Sequence, residues 1–134
     1  LKEALTLTSD DIKKFRDDGS FVVTIGRVGR GPDEFLTAHD IDVCSKTQEI
    51  YIADGWQKKF YVYSDKGDFV RSFAGPVNTS VFRITPDGIL CYSTNVTANI
   101  KYSYNLIDTN GKITKEITNK YPWNLNSKYG AFVF

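Results

Sequence analysis

Several residue types are scarce in this chain of 134 residues, and each shortage excludes a class of protein. There is no methionine, a single histidine and only two cysteines, which lack the C-x-x-C spacing of a metal site. No apolar run approaches the roughly 20 residues that span a bilayer. The 17 basic and 16 acidic residues leave a formal net charge of +1 and form no basic stripe. We therefore expect neither a nucleic-acid partner nor a membrane span.

What is abundant indicates β-structure. Aromatic residues make up 14% of the chain, and aromatic and β-branched side chains favour strands. The ten glycines, together with many Asn, Asp, Ser and Thr residues, supply turns. A charged fraction of 25% is that of a globular protein, so the composition predicts an all-β globular chain.

Three segments repeat the pattern of strand, polar break, strand, turn and strand, and they cover residues 5–26, 50–75 and 89–118. Each turn ends in a glycine, at Gly19, Gly67 and Gly111, where a hairpin requires a positive φ. These glycines are spaced by 48 and 44 residues. A strand-only repeat of about 40–50 residues is typical of a β-propeller.

The last two repeats are each preceded by one more short strand, at 39–44 and 81–85, which gives four strands per unit. The inner strands, 50–53 and 60–63, are apolar on both faces, as expected where blades stack face to face. The outer strand at 68–73 is more mixed. The pattern predicts four-stranded antiparallel blades with a buried interior and a polar rim.

About three blades are present, in one propeller domain. Residues 1–35 form a partial first blade, which lacks its first strand, and a connector, and residues 36–76 form the second blade. The third blade covers 77–119, and 120–134 begin a fourth. Propellers close with about four to eight blades, so the end blades need partners. The chain is expected to be a fragment of a longer chain or a protomer that completes the ring with a copy of itself, and the missing methionine and apolar last residue favour the fragment.

The segment Ile25-Gly-Arg-Val-Gly-Arg-Gly-Pro-Asp-Glu-Phe35, with 14–22 before it, resembles bacterial six-bladed β-propeller proteins related to the NHL-repeat family. The second repeat keeps Asp54, Phe60 and Gly67, whereas Asn95 replaces the Asp in the third. The resemblance implies a partial six-bladed propeller. It also implies a protein that is exported to the periplasm or cell surface, with a lipid anchor in some members.

The glycines of this segment do not form a phosphate loop, since the spacing differs from G-x-G-x-x-G and no helix follows. We interpret residues 26–35 as the connector from one blade to the next. Glu34 is predicted to accept backbone N–H bonds there, and Phe35 to pack between blades. Asp54 is predicted to cap the next turn with its side chain.

The candidate ligand-binding residues are expected on one loop face: Trp56, Arg30, His39, Arg27 and Asn78. Trp56 lies in a polar turn and is expected to neighbour the connector, where an exposed aromatic beside Arg30 suits a peptide or a sugar. Packing of Trp56 over its own blade edge is slightly favoured. His39 is the only histidine and is placed near the mouth of the central channel, with a structural role favoured over a metal-binding one.

Two functions are compatible with these residues. The first is a non-enzymatic binding or scaffold module that presents its loop face to a peptide, protein or glycan. The alternative is a metal-dependent propeller enzyme, a lyase or hydrolase, whose channel site is completed by blades not in this chain. No catalytic residue, metal site or cofactor is assigned, because no Ser-His-Asp set or clustered carboxylates are discernible. Cys44 and Cys91 are interpreted as small buried side chains rather than a disulfide.

Overall fold

The computed structural model describes residues 3–7, 11–75, 79–95 and 101–119. Within these ranges the chain is all-β, with eleven strands in three antiparallel sheets and no helix. The strand composition predicted from the sequence is therefore confirmed. In the described ranges no helix is long and apolar enough to cross a membrane.

Each sheet is a simple meander in which neighbouring strands in sequence pair with each other. The first sheet has three strands, β1 (Glu3–Leu7), β2 (Ile12–Arg16) and β3 (Phe21–Ile25). The second has four, β4 (Ala38–Val43), β5 (Ile50–Asp54), β6 (Lys59–Tyr63) and β7 (Phe69–Ala74). The third also has four, β8 (Thr79–Thr85), β9 (Gly88–Asn95), β10 (Lys101–Ile107) and β11 (Ile113–Asn119).

The hairpin glycines adopt the backbone conformation that the repeat predicts. Gly19, Gly67 and Gly111 have φ values of +85°, +92° and +85°. Two of these turns also pack closely against the sheet before them. A Cβ on Gly67 would lie 2.8 Å from the Thr24 carbonyl oxygen, and one on Gly111 would clash with the Ala74 carbonyl oxygen. The turn glycine is therefore required both for its φ and for the contact between successive sheets.

The second sheet is buried on both faces, because each face packs against a neighbouring sheet. Every residue of β5 is buried, and alternate residues point in opposite directions. One cluster joins this sheet to the third and comprises Tyr51, Ala53, Phe60, Val62, Phe82, Ile89, Cys91 and Ile107. The other joins it to the first and comprises Ile12, Ile25, Phe35, Ile50, Ile52, Tyr61 and Tyr63. The predicted loss of alternation in the inner strands is thus confirmed.

The rim strand β7 is mostly exposed or half-buried, as its mixed sequence predicts. In the described ranges the first sheet consists of three strands, and the division into blades stays a prediction. The three sheets do not close into a ring, so the propeller stays a prediction. The predicted start of a fourth unit, 120–134, lies outside the described residues.

Two aspartates of β4 connect the second sheet to the third. The Asp40 carboxylate accepts from the Phe82 N–H at 3.1 Å, and Asp42 accepts from the Ile84 N–H at 2.8 Å. Arg83 adds an ion pair with Asp40 at 2.9 Å. The carboxylates therefore bond edge amides of β8 that face away from β9. The alternation Asp-Ile-Asp-Val was visible in the sequence, but its partners lie about 42 residues away along the chain.

Candidate functional site

The turn between β5 and β6 is held by one buried carboxylate. Asp54 ends β5 and is 2% exposed. Its Oδ1 accepts from the N–H groups of Trp56 and Gln57 at 3.0 and 3.1 Å. Its Oδ2 accepts from the Gln57 side-chain amide at 3.0 Å and from the Leu36 N–H at 2.6 Å. The predicted capping role of Asp54 is confirmed, and the same carboxylate also holds the end of the connector.

Trp56 projects from this turn into solvent. Its side chain is 76% exposed, the largest exposure among the large hydrophobic residues described. The slightly favoured expectation that Trp56 packs over its own blade edge is therefore wrong. The backbone of the turn is fixed by Asp54, and the short turn leaves the indole outside the sheet. A rigid backbone carrying an exposed aromatic ring is a suitable anchor for a ligand.

His39 lies beside the same turn. It is the extra residue of a β-bulge, because Ala38 pairs with Asp54 and Asp40 pairs with Ala53. Its imidazole covers Gly55, where a Cβ would come within 2.9 Å of His39 Cδ2 and Nε2. The predicted strand at 39–44 includes His39, and the structure places His39 in β4. The bulge thus brings the exposed imidazole next to the turn that carries Trp56.

The connector packs against β6. Gly26 lies against Tyr63 at the far end of the strand, and the Tyr63 hydroxyl donates to the Asp33 carbonyl at 2.6 Å. Burial raises the pKa of Tyr63, so this donor stays protonated. Phe35 is fully buried and forms edge contacts with Tyr61 and Tyr63. The predicted packing of Phe35 between units is confirmed.

The glutamate of the connector binds a side chain. Glu34 pairs with the Arg27 guanidinium at 3.6 Å, and its carboxylate fills the space beside Gly29 and Gly31, where a Cβ would clash with it. Two backbone hydrogen bonds close the loop instead. The Gly29 N–H donates to the Phe35 carbonyl at 3.0 Å, and the Phe35 N–H donates to the Arg27 carbonyl at 3.2 Å. The predicted backbone role of Glu34 is replaced by an ion pair, since these amides already have partners.

Arg27 lines a shallow cleft with Tyr63 and Phe69, near the end of β6 opposite the turn that carries Trp56. Its backbone carbonyl accepts from the Phe35 N–H at 3.2 Å, and the next residue, Leu36, donates to Asp54 in that turn. The expected proximity of Trp56 to the connector stays a prediction. Arg30 is exposed in the middle of the connector, and Asn78 lies outside the described residues.

The potential metal ligands and the two thiols of the described ranges are dispersed. In those ranges no group of three His, Cys, Asp or Glu side chains is arranged to hold a metal ion. Cys44 and Cys91 are free thiols, half-buried and buried, beside the same core cluster. Burial raises the pKa of Cys91 to about 12, which keeps it protonated and unreactive. The interpretation of the cysteines as small core side chains is confirmed for Cys91 and holds in part for Cys44.

Comparison with known proteins gives one family and two similar folds. A family model described as a domain of unknown function, DUF4934, matches residues 2–134. A protein of Bacteroides fragilis NCTC 9343, described as a "putative exported protein", superposes with a TM-score of 0.71 at 25% identity, over 84% of this chain and 33% of its own. A protein of unknown function from Bacteroides caccae superposes with a TM-score of 0.60 at 15% identity, over 87% of this chain and 40% of its own. The chain therefore spans well under half of each of these proteins.

One sequence relative carries an enzyme's name. A glutamyl-tRNA(Gln) amidotransferase polypeptide of Aliarcobacter butzleri (strain RM4018) is 33% identical over 81 residues. The match covers 60% of this chain and 18% of that protein. Because it spans less than a fifth of that protein, its name does not extend to this chain.

Proposed function

We propose that this chain, which belongs to the DUF4934 family, is part of a β-propeller that binds a peptide, protein or glycan without catalysing a reaction. The ligand surface is the one around Trp56, with His39 beside it and Arg30 on the neighbouring connector. We refer to Trp56, His39 and Arg30 as the loop face.

The propeller part of the proposal is supported by repetition and packing. Two successive four-stranded meanders follow a three-stranded one, and they pack face to face with buried inner strands. The NHL-related sequence pattern recurs with this repeat. We extend this to a six-bladed ring whose remaining blades come from a longer chain or from a second copy.

The binding role is supported above all by the exposed Trp56. An indole that is 76% exposed offers a large apolar surface and an N–H donor to a ligand. Its turn is already rigid, so a ligand would lose little entropy in ordering it. Arg30 is also exposed, and in the described ranges no hydrogen bond or ion pair occupies its guanidinium. An exposed aromatic plane and an exposed guanidinium suit a sugar ring or a peptide with acidic groups.

Export to the periplasm or the cell surface belongs to the same proposal. It is supported by the similar fold of the Bacteroides fragilis protein and by the resemblance to exported propellers. An anchored form would present the loop face to ligands outside the cell. The free thiols of Cys44 and Cys91 are compatible with an exported protein, because the fold has no disulfide between them.

The test of the loop face is a binding screen with matched variants. Glycan and peptide arrays are probed with the wild-type chain, and hits are measured by calorimetry. We expect Trp56→Ala to weaken a hit by about 10- to 100-fold, since aromatic anchors dominate binding surfaces. His39→Ala and Arg30→Ala should each weaken it less, and circular dichroism should show that all three variants are folded.

Two control variants lie away from the loop face. Phe21→Ala removes another exposed aromatic ring from the first sheet, and Arg27→Ala removes the arginine that Glu34 already engages. Both should bind within about twofold of the wild type. Equal loss in Phe21→Ala and Trp56→Ala would contradict the proposed surface, and arrays without any hit would remove the support for a binding role.

A further inference from the structure

Within the residues that the structure describes, the first sheet has an unpaired inner edge at β1. In the described part of the chain β1 is an end strand of a three-stranded sheet, whereas β5 and β9 at the matching position each pair with an additional strand, β4 or β8. An edge strand presents unpaired N–H and C=O groups that another strand can bond. The edge of β1 is therefore a site where an extended segment can add.

A cleft lies beside this edge. It has a volume of about 460 Å³ and a mixed lining, in which Leu5, Val43 and Ile50 lie among Glu3, Lys14, Gln48 and Asp65. The one lysine in it, Lys14, is engaged by Glu3 at 2.6 Å and by the Asp65 carbonyl at 2.8 Å. The Lys14 charge is therefore neutralised by Glu3. An apolar side chain in the cleft can pack against Leu5, Val43 and Ile50.

The interface between the second and third sheets shows what fills the matching space. There Cys44, directly after β4, packs against the shared core cluster. An added strand on β1 would place its own last residue in the corresponding position, which is the cleft. The side chain of that residue would occupy part of the cleft.

The edge of β4 shows which polar groups such a strand would carry. In the third sheet the N–H groups of Phe82 and Ile84 donate to carboxylates of the preceding sheet. In β4, Ile41 and Val43 occupy the positions that Phe82 and Ile84 occupy in β8. Ile41 packs against the cluster shared with the preceding sheet, as Phe82 does in the third sheet. The N–H groups of Ile41 and Val43 donate to the carboxylates directly before them, Asp40 at 3.0 Å and Asp42 at 2.9 Å.

These amides face the added strand rather than β5. The Cys44 N–H donates to Glu49 O at 2.9 Å, so the N–H of the adjacent Val43 points the other way. A carboxylate from outside can therefore reach the Val43 N–H without disturbing the pairing of β4 with β5. Such a bond would repeat the contact that Asp42 makes with Ile84.

We propose that the open edge of β1 binds an extended peptide segment with two carboxylates two residues apart and an apolar residue at its end. The segment pairs antiparallel with β1, its carboxylates bind the N–H groups of Ile41 and Val43, and its apolar end fills the cleft. In the propeller proposed above, such a segment would be the inner strand of the first blade. The inference does not depend on the loop face.

The test uses a peptide with the sequence of residues 37–44, which has this pattern, with alanine in place of its cysteine so that the end of the peptide stays apolar. Binding to the 134-residue chain is followed by fluorescence anisotropy, and ¹⁵N spectra locate the site. We expect shifts in β1 and at Ile41 and Val43. A peptide with both aspartates changed to asparagine should bind about tenfold more weakly, because bonds to charged acceptors are stronger.

A protein variant tests the position independently. Val43→Pro removes the N–H that receives the carboxylate, on the side of β4 where proline is tolerated, and Val43→Ala retains it. We expect about tenfold weaker binding to the proline variant than to the alanine variant. Equal binding of the two peptides, equal binding to the two variants or no binding of the peptide would each overturn the proposal. A dimer in sedimentation that excludes the peptide would assign the edge to a second copy and would also overturn it.

Discussion

At the scale of single residues, Asp54 does the most to shape the site. It accepts four hydrogen bonds, three within its own turn and one from Leu36 on the connector. It thereby joins two loops that are 18 residues apart in sequence. The exposed Trp56 follows it by two residues, so the position of the indole depends on this buried carboxylate.

We expect Asp54→Ala to lower the free energy of unfolding by about 2–4 kcal/mol, because three backbone N–H groups lose a charged acceptor. Urea denaturation followed by circular dichroism measures this loss. Asp54→Asn should cost less, since an amide oxygen can still accept. The control is Asp17→Ala, which removes an exposed carboxylate in a turn of the first sheet and should change stability by less than about 0.5 kcal/mol. Equal losses of unfolding free energy in Asp54→Ala and Asp17→Ala would contradict the role of Asp54.

At the scale of elements, β4 links the second sheet to the third through its side chains. Its aspartates alternate with Ile41 and Val43, so that one side of the strand carries acceptors. Asp40 and Asp42 bond to amides of β8 that have no strand on that side in the described ranges. The contact satisfies an edge that would otherwise be open to aggregation.

We expect Asp42→Ala to lower the free energy of unfolding by about 1–2 kcal/mol, and Asp40→Ala by slightly more because it also loses Arg83. Arg83→Ala alone should cost less than about 1 kcal/mol, since its side chain is partly exposed. The measurement is again urea denaturation, with Asp87→Ala at an exposed turn as the control. If Asp42→Ala and Asp87→Ala changed the free energy of unfolding equally, the Asp42 carboxylate would not stabilise the contact between the sheets.

At the scale of the whole molecule, stability is concentrated in the second sheet. Its inner strands β5 and β6 contribute to both core clusters, one on each face. The rim strand β7 is more exposed, and β1 is paired on one side only in the described ranges. A structure of stacked sheets therefore opens from its rims and ends before its centre.

Hydrogen exchange followed by NMR should show this order. We expect the amides of β5 and β6 to exchange at least about tenfold more slowly than those of β3 and β7, because their opening requires the two clusters to separate. The amides of β2, a paired strand of intermediate burial, serve as an internal reference for the exchange rates. Uniform protection across the three sheets would indicate a single cooperative unit instead.

Much of the fold is determined by the sequence alone. The turn glycines, the repeat spacing and the apolar inner strands predicted all the strands that the structure describes in the first two sheets. These signals are local, because a hairpin glycine needs its φ and a doubly buried strand needs apolar residues on both faces. For the same reason Asp54 was recognised as a turn cap and Phe35 as a packing residue.

The arrangement of the site was decided by the tertiary structure. The sequence could not show that Arg27 lines a cleft with Tyr63 and Phe69, nor that a bulge brings His39 against Gly55. It also did not reveal the partners of Asp40 and Asp42. Each of these contacts joins segments that are distant along the chain, and their relative positions depend on how sheets stack. The sequence therefore determined the strands and turns, whereas stacking of the sheets determined which side chains meet.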